Sequence, residues 1–562
     1  MNKVCKNCSC DFEITEEDLK FYNKVSPIFS GIKYSIPEPN FCPSCRYQRR
    51  ISFRNDRNFY KRKCDATGEI ILTTYSSDKA YPVYDNDAWW SDNWDPKDYG
   101  RDFDFNRPFF EQFFELEQVV PHCALATVRP SMENSDYCNQ VGFLKDCYLI
   151  FDSRRSEKCM YGKTIERCFD CIDCIKVFDC EACYECISLQ NCKFCTYLWN
   201  SNNCYECHYS TDLIGCSYCF GSMNLRNKKY YFFNEQYSKE NWKIKVDKYL
   251  KSTTRENIFL KFKENTSKRI VKYIQEFNTE DCSGNYLWNS KSSHFCFDSE
   301  GLENSKFCCD VKKDESINFE NYDVSHFGGT IEQCYECCST GNSAYNILFC
   351  ENVFSNINNF IYSRTCAFSS NLFGCFGIRN SKYCILNKQY TKEKYEELIP
   401  KIIEHMKKTG EWGEFFPLIH GPFAYNESIA QEYFPLRKEE VLSKGYKWKD
   451  EDEKEYTTQT YIIPDNIKDI PDSICNEILA CEITGKNYKI IPQELEFYKK
   501  MNLSIPRRHP DQRHLDRMKL RNPRKLFNRN CSNCNKEIQT TYSPERPEIV
   551  YCETCYNDYI YK

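Results

Sequence analysis

Between residues 138 and 219 fifteen cysteines recur among polar positions, and every interval between them is a multiple of three. Five CxxC pairs, at 168/171, 180/183, 192/195, 204/207 and 216/219, keep a strict register of twelve residues. A unit this short cannot bury its own apolar face, and it suits stacked β coils better than helices, so the pattern predicts a β-solenoid-like repeat. Asn191 and Asn203 each precede a pair, as residues that turn corners or stack in ladders do.

This repeat has a second copy. Leu225-Arg226-Asn227 and Asn234-Glu235-Gln236-Tyr237 recur as Ile378-Arg379-Asn380 and Asn387-Lys388-Gln389-Tyr390, at a constant offset of 153. Ser238 and Thr391, each followed by Lys-Glu, read as N-caps, so each copy ends in a closing helix. The chain ends are related too: Leu19, Phe21 and Tyr22 match Leu495, Phe497 and Tyr498, and Arg46 and Arg54 match Arg513 and Arg521. The expected fold is multidomain and mainly β: two cysteine-rich β-solenoid-like repeat domains, each closed by a helix, flanked by zinc-ribbon modules. The expected boundaries are an N-terminal module at 1–100, an aromatic connector at 101–133, and a first repeat domain at 134–250. A helical connector at 251–281, a second repeat domain at 282–408, a connector at 409–474 and a C-terminal module at 475–562 follow. Within the last connector, 449–460 reads as a solvated acidic linker.

Each end module has two ribbon positions and keeps a different one whole. Cys5, Cys8, Cys42 and Cys45 form one pair of CxxC knuckles, and Cys531, Cys534, Cys552 and Cys555 form the other. Two intervening residues let both sulfurs of a knuckle turn toward one ion, so zinc, about two ions per chain, is the expected cofactor. The other two positions are reduced to Cys64, Thr67, Asp85 and Ala88, and to Cys481, Thr484, His509 and Gln512, sets unsuited to a closed thiolate site.

Cys5-x-x-Cys8, Phe12, Leu19, Phe21-Tyr22 and Cys42-Pro43-x-Cys45-Arg46 resemble the small probable zinc-ribbon domain family, over roughly the first 50 residues. The chain departs from that family's Glu-x-x-Phe-Tyr stretch, having Asp18-Leu19-Lys20-Phe21-Tyr22, and in a longer insertion between knuckles. As a whole it is similar to uncharacterised cysteine-rich proteins of uncultivated bacteria with reduced genomes, a resemblance that implies no activity.

The net charge of -5 conceals two segments of +7 each, at 46–63 and 507–529, and a remainder of -19. Arginine forks bind phosphates, so the leading expectation is a non-enzymatic protein binding nucleic acid, RNA favoured, through these segments. The residues expected to carry it are Arg46, Arg49, Arg50, Arg54 and Arg57 at one end, with Arg507, Arg508, Arg513, Arg517, Arg521, Arg524 and Lys525 at the other. The plainer alternative pairs these arginines with acidic faces of the same protein. A protein-interaction scaffold is a further reading, with Trp89, Trp90, Trp94 and the phenylalanines at 103–114 as a docking surface or as internal packing.

A thiol-rich metal or redox reservoir would use the first cysteine array. In the second copy, however, Leu, Phe and Ile take the first cysteine's place, which suits core packing better than ligation. His509, Asp511, His514 and Asp516 are the one set that suggests catalysis, as in a nuclease, and phosphate-loop, metalloprotease and nucleophile-elbow motifs are lacking. The 39 cysteines are expected as thiols in a cytoplasmic chain, since no run is apolar and long enough for a membrane and the start is unlike a signal peptide.

Overall fold

Every third residue from Gln140 to Phe233, including Gly215 and Gly221, has a left-handed backbone. In the computed structural model, which describes residues 1–267, 269–313, 316–451 and 455–561, this periodicity shapes a parallel sheet. Lys163 pairs with Ile175, Ile175 with Ile187, and Ile187 with Trp199. Parallel pairing at a register of twelve means that the chain closes one turn every twelve residues. Four left-handed corners then divide each turn into triplets: one residue fills the core, one lies along the side and one turns the corner. Cys168, Cys171, Cys174 and Val177 are one such inward layer, all buried. Asn191 and Asn203 are corners.

A second sheet, again mostly parallel, runs from 276 to 389 with registers of eleven to sixteen, as in Glu280–Lys291, Phe297–Cys309, Cys309–Ser325 and Ser325–Cys338. Its core holds Leu287, Val324, Ile347, Phe360 and Leu372 beside fewer cysteines, which fits a thiol acting as a small hydrophobe. Helices Lys239–Ser252 and Lys392–Thr409 follow the two sheets. The Ser238 and Thr391 hydroxyls cap them by accepting from the N–H groups of Asn241 and Lys394. The two sheets touch, Lys312 Nζ lying 3.2 Å from the Asp152 carbonyl.

The end modules share one order of elements. The hairpin Asn2–Val4/Asp11–Glu13, helices Glu16–Val25 and Pro43–Ile51 and the hairpin Tyr60–Lys63/Ile70–Thr73 form the first. The hairpin Leu479–Ala480/Asn487–Tyr488, helices Pro492–Lys500 and Pro510–Met518 and the hairpin Phe527–Asn530/Glu537–Thr540 form the second. They are seated crosswise. Val83–Tyr84 of the N-terminal module pairs with His122–Cys123, just ahead of the first sheet, whereas Phe21 stacks at 3.8 Å on Tyr322 of the second. In the C-terminal module Ile549–Tyr551 pairs with Ile270–Lys272, ahead of the second sheet, whereas Tyr498 meets Tyr184 of the first at 5.7 Å.

Trp89, Phe109, Phe110, Phe113 and Phe114 are buried, the phenylalanines among Tyr362, Phe373 and Phe416, so this part of the stretch is internal packing, while Phe105 is exposed. Among the described residues no helix is long and apolar enough to cross a membrane. Part of the acidic linker, at 452–454, lies outside the described residues.

Candidate metal centres and the arginine interfaces

A tetrahedral zinc with bonds of about 2.3 Å needs sulfurs about 3.8 Å apart. Cys8 and Cys42 sulfurs stand 3.7 Å apart, as do those of Cys534 and Cys552. In each quartet all four sulfurs lie within 4.8 Å of one another, so both ends are positioned to hold a metal ion. Each site is finished the same way. The N–H groups of Cys42 and Cys552 donate to Cys5 and Cys531 at 3.3 and 3.2 Å. Asn7 and Asn533, second in their knuckles, donate side-chain N–H groups to Cys45 and Cys555 at 3.2 and 3.3 Å. These donors favour thiolate: burial works against Cys531, yet the backbone N–H groups of Cys534 and Cys552 bring it down to about 6. The two asparagines were not foreseen, though their shared knuckle position was a readable signal.

The reduced positions have exchanged ligation for helix capping. Cys42 is the N-cap of helix Pro43–Ile51, and at the corresponding point Asp85 accepts from the Ala88 N–H at 2.8 Å. His509 Nδ1 likewise accepts from the Asp511 N–H at 3.1 Å, capping helix Pro510–Met518. Among the described residues the central thiols form no group of three within 4.8 Å, so the terminal quartets stand apart from the core array.

The arginines expected to face phosphates turn inward. Arg46 Nη2 lies 2.7 Å from Asp323, and Arg50 Nη1 reaches Asp323 at 3.0 Å and Glu336 at 3.3 Å. The matching Arg513 and Arg517 make the same pattern on Asp173 and Glu185, with Arg517 at 2.9 Å from each and Arg513 bonded to Asp173. All four carboxylates sit on left-handed corners of successive coils. Coils stack about 4.8 Å apart and helix residues four apart are separated by about 6 Å, so a helix laid along the stack seats successive arginines on successive coils.

The next members continue inward: Arg54 pairs with Asp56 and Asp152 at 2.8 and 3.0 Å, Arg521 with Asp298, and Arg524 with Asp298 and Asp310. Arg49 pairs with Glu336 and Glu414, and Arg57 with Asp511 at 3.2 Å, joining the two chain ends. Only Arg507, Arg508 and Lys525 lie toward the rim, and the first two pair with Asp465 and with Glu482 and Asp516. The outward orientation expected for these arginines is therefore corrected: the coil corners present carboxylates at the helical spacing, and the guanidiniums are spent on them. Phe53 and His514, which lie among these arginines in sequence, are buried as well.

His514 shows the cost of this burial. Loss of solvent, and then the Arg57 charge, push it down to about 4, although Glu432 stands 3.2 Å from Nε2. The folded chain keeps the imidazole neutral while the unfolded chain protonates below about 6.5. Its share of stability is thus whole above about pH 6.5 and is lost as pH falls toward 4, roughly 3 kcal/mol in all. Urea unfolding between pH 7.5 and 4.5 is expected to show a shallower acid loss in His514→Gln than in the parent; equal slopes would refute this.

A scan against known protein families matched none, and no curated protein matched the chain. Among solved structures, a putative acetyltransferase from Desulfovibrio desulfuricans G20 is similar at 10% identity and a TM-score of 0.10, over 40% of this chain and 62% of that one. The chain thus spans less than two thirds of that protein, and a likeness at this TM-score carries no argument.

Proposed function

We propose that the protein is a non-enzymatic scaffold: two β-solenoids held side by side by zinc-bound ribbon modules at both chain ends. The crosswise seating of Arg46/Arg50 and Arg513/Arg517 carries this reading, because it spends the strongly basic helices on intramolecular carboxylates and ties four modules together. A metal or redox reservoir is supported less well, since the first array's sulfurs fill a core and lack quartet geometry.

Metal and thiol counts on one sample test the reading. About two zinc ions per chain are expected. Outside the quartets only Cys10 is exposed, so it should react fastest in the native protein, ahead of the half-buried Cys123, Cys282 and Cys475, whose thiols burial pushes up. All 39 should react in denaturant with chelator. Four or more metal ions would replace the scaffold with the reservoir.

A further inference from the structure

The basic surface that remains exposed lies elsewhere. Between Lys228 and Lys251 seven exposed lysines stand against three carboxylates, a local charge of +4. Among the described residues none of these lysines forms an ion pair. The duplicated closing helix shows that this is no general property of the element. There Lys394 and Lys401 pair with Glu397 at 3.0 and 2.6 Å, and Lys407 with Glu404 at 2.7 Å. In the first closing helix Glu240 and Asp247 stand three and four residues before Lys243 and Lys251, at the same spacings, yet among the described residues those lysines stay out of ion pairs.

Beside the lysines runs a row of aromatic rings, successive coils of the first sheet supplying one each. Phe194 and Tyr205 are 5.7 Å apart, Tyr205 and Tyr218 5.5 Å, and Tyr218 and Tyr230 5.1 Å, the last pair stacked. Tyr205 is 38% exposed, and Lys229 Nζ lies over both Tyr218 and Tyr230 at 5.6 and 5.2 Å. Counting back by coils from the matched Tyr230 and Tyr383, the second sheet has Asn346, Asn359 and Asn371 where the first has Phe194, Glu206 and Tyr218. Those asparagines bond to one another at 2.9 and 3.2 Å, a ladder of amides in place of rings at these three positions.

We infer that this face, the ring row together with the lysines of the closing helix, binds single-stranded nucleic acid. Unpaired lysines answer a phosphate chain by charge, and the rings offer π-faces to unpaired bases, which a duplex keeps stacked inside. The inference rests on the scaffold reading, whose rigid coils hold the rings in line. An anionic membrane is the competing occupant, since Ile244 is 64% exposed among the lysines.

Full-length zinc-loaded protein would be titrated into labelled oligouridine and oligothymidine, with vesicles containing anionic lipid as a third arm. Four lysine contacts give a log–log salt slope of about -3, so affinity should fall about 50-fold between 50 and 200 mM salt. Changing Lys228, Lys229, Lys243 and Lys248 together to glutamate is expected to remove more than 30-fold of the binding, roughly what four phosphate contacts supply at low salt. Tyr205→Ala with Tyr218→Ala should weaken it about 10-fold while leaving the salt slope unchanged. Arg507→Glu with Lys525→Glu should change nothing. Binding to either oligonucleotide supports the inference, and preference for RNA would add contacts to the 2′-hydroxyl. Retention of vesicles alone, no salt-dependent retention, or binding indifferent to the lysine changes would overturn it. An unaltered zinc count and unfolding midpoint in the variants would show that the scaffold itself stands.

Discussion

Asp323→Ala is expected to destabilise the protein by about 3–5 kcal/mol, and Asp173→Ala by a similar amount. Asp323 is fully buried and holds both Arg46 and Arg50, so removing it strands two guanidiniums away from water. Glu336 remains, but it already lies within 3.5 Å of Arg46, Arg49 and Arg50, and one carboxylate cannot compensate three guanidiniums. Asp173 stands in the same relation to Arg513 and Arg517. Replacing the whole group by apolar residues, Asp323→Ala with Arg46→Met and Arg50→Met, should recover most of the loss, because the desolvation cost leaves with the charges. Urea unfolding measures both. A single variant within 1 kcal/mol of the parent would show that these arginines reach solvent.

Cys45→Ser should remove one of about two zinc ions and with it the latch on the second sheet. Cys45 lies inside helix Pro43–Ile51, directly before Arg46, so a metal held by the quartet would fix the helix that carries three ion-paired arginines. Structural zinc sites contribute about 10–16 kcal/mol in isolated peptides, and a loss of at least several kcal/mol is expected here, where packing retains part of the module. Cys10→Ser, at an exposed thiol outside the quartet, should leave metal content and stability unchanged. Full metal content in Cys45→Ser would exclude the quartet as the ligand set.

Much of the architecture was legible because its rules are local. A three-residue interval between cysteines is the direct trace of a triplet with one inward residue, and a pair of knuckles is the trace of a four-sulfur cluster. The Phe21-Tyr22 and Phe497-Tyr498 motifs pointed to matched modules, and both pairs dock on tyrosines of the opposite sheet. The destination of the arginines was hidden because a basic helix reads alike whether it faces phosphate or carboxylate. Its partners lie hundreds of residues away, and only the coincidence of Arg at every fourth position with Asp173 and Glu185 twelve apart hinted at them. The unpaired lysines escaped for a related reason: net charge counts residues, whereas exposure depends on which charges are already matched.

The crosswise seating also sets an order on synthesis. Arg46 and Asp323 are 277 residues apart, and Glu336 comes later still. At about 5–20 residues per second, the N-terminal arginine helix waits roughly 15–60 s for its carboxylates to be made. During that interval the nascent chain trails an uncompensated cationic helix beside the ribosome, and only completion of the second sheet neutralises it.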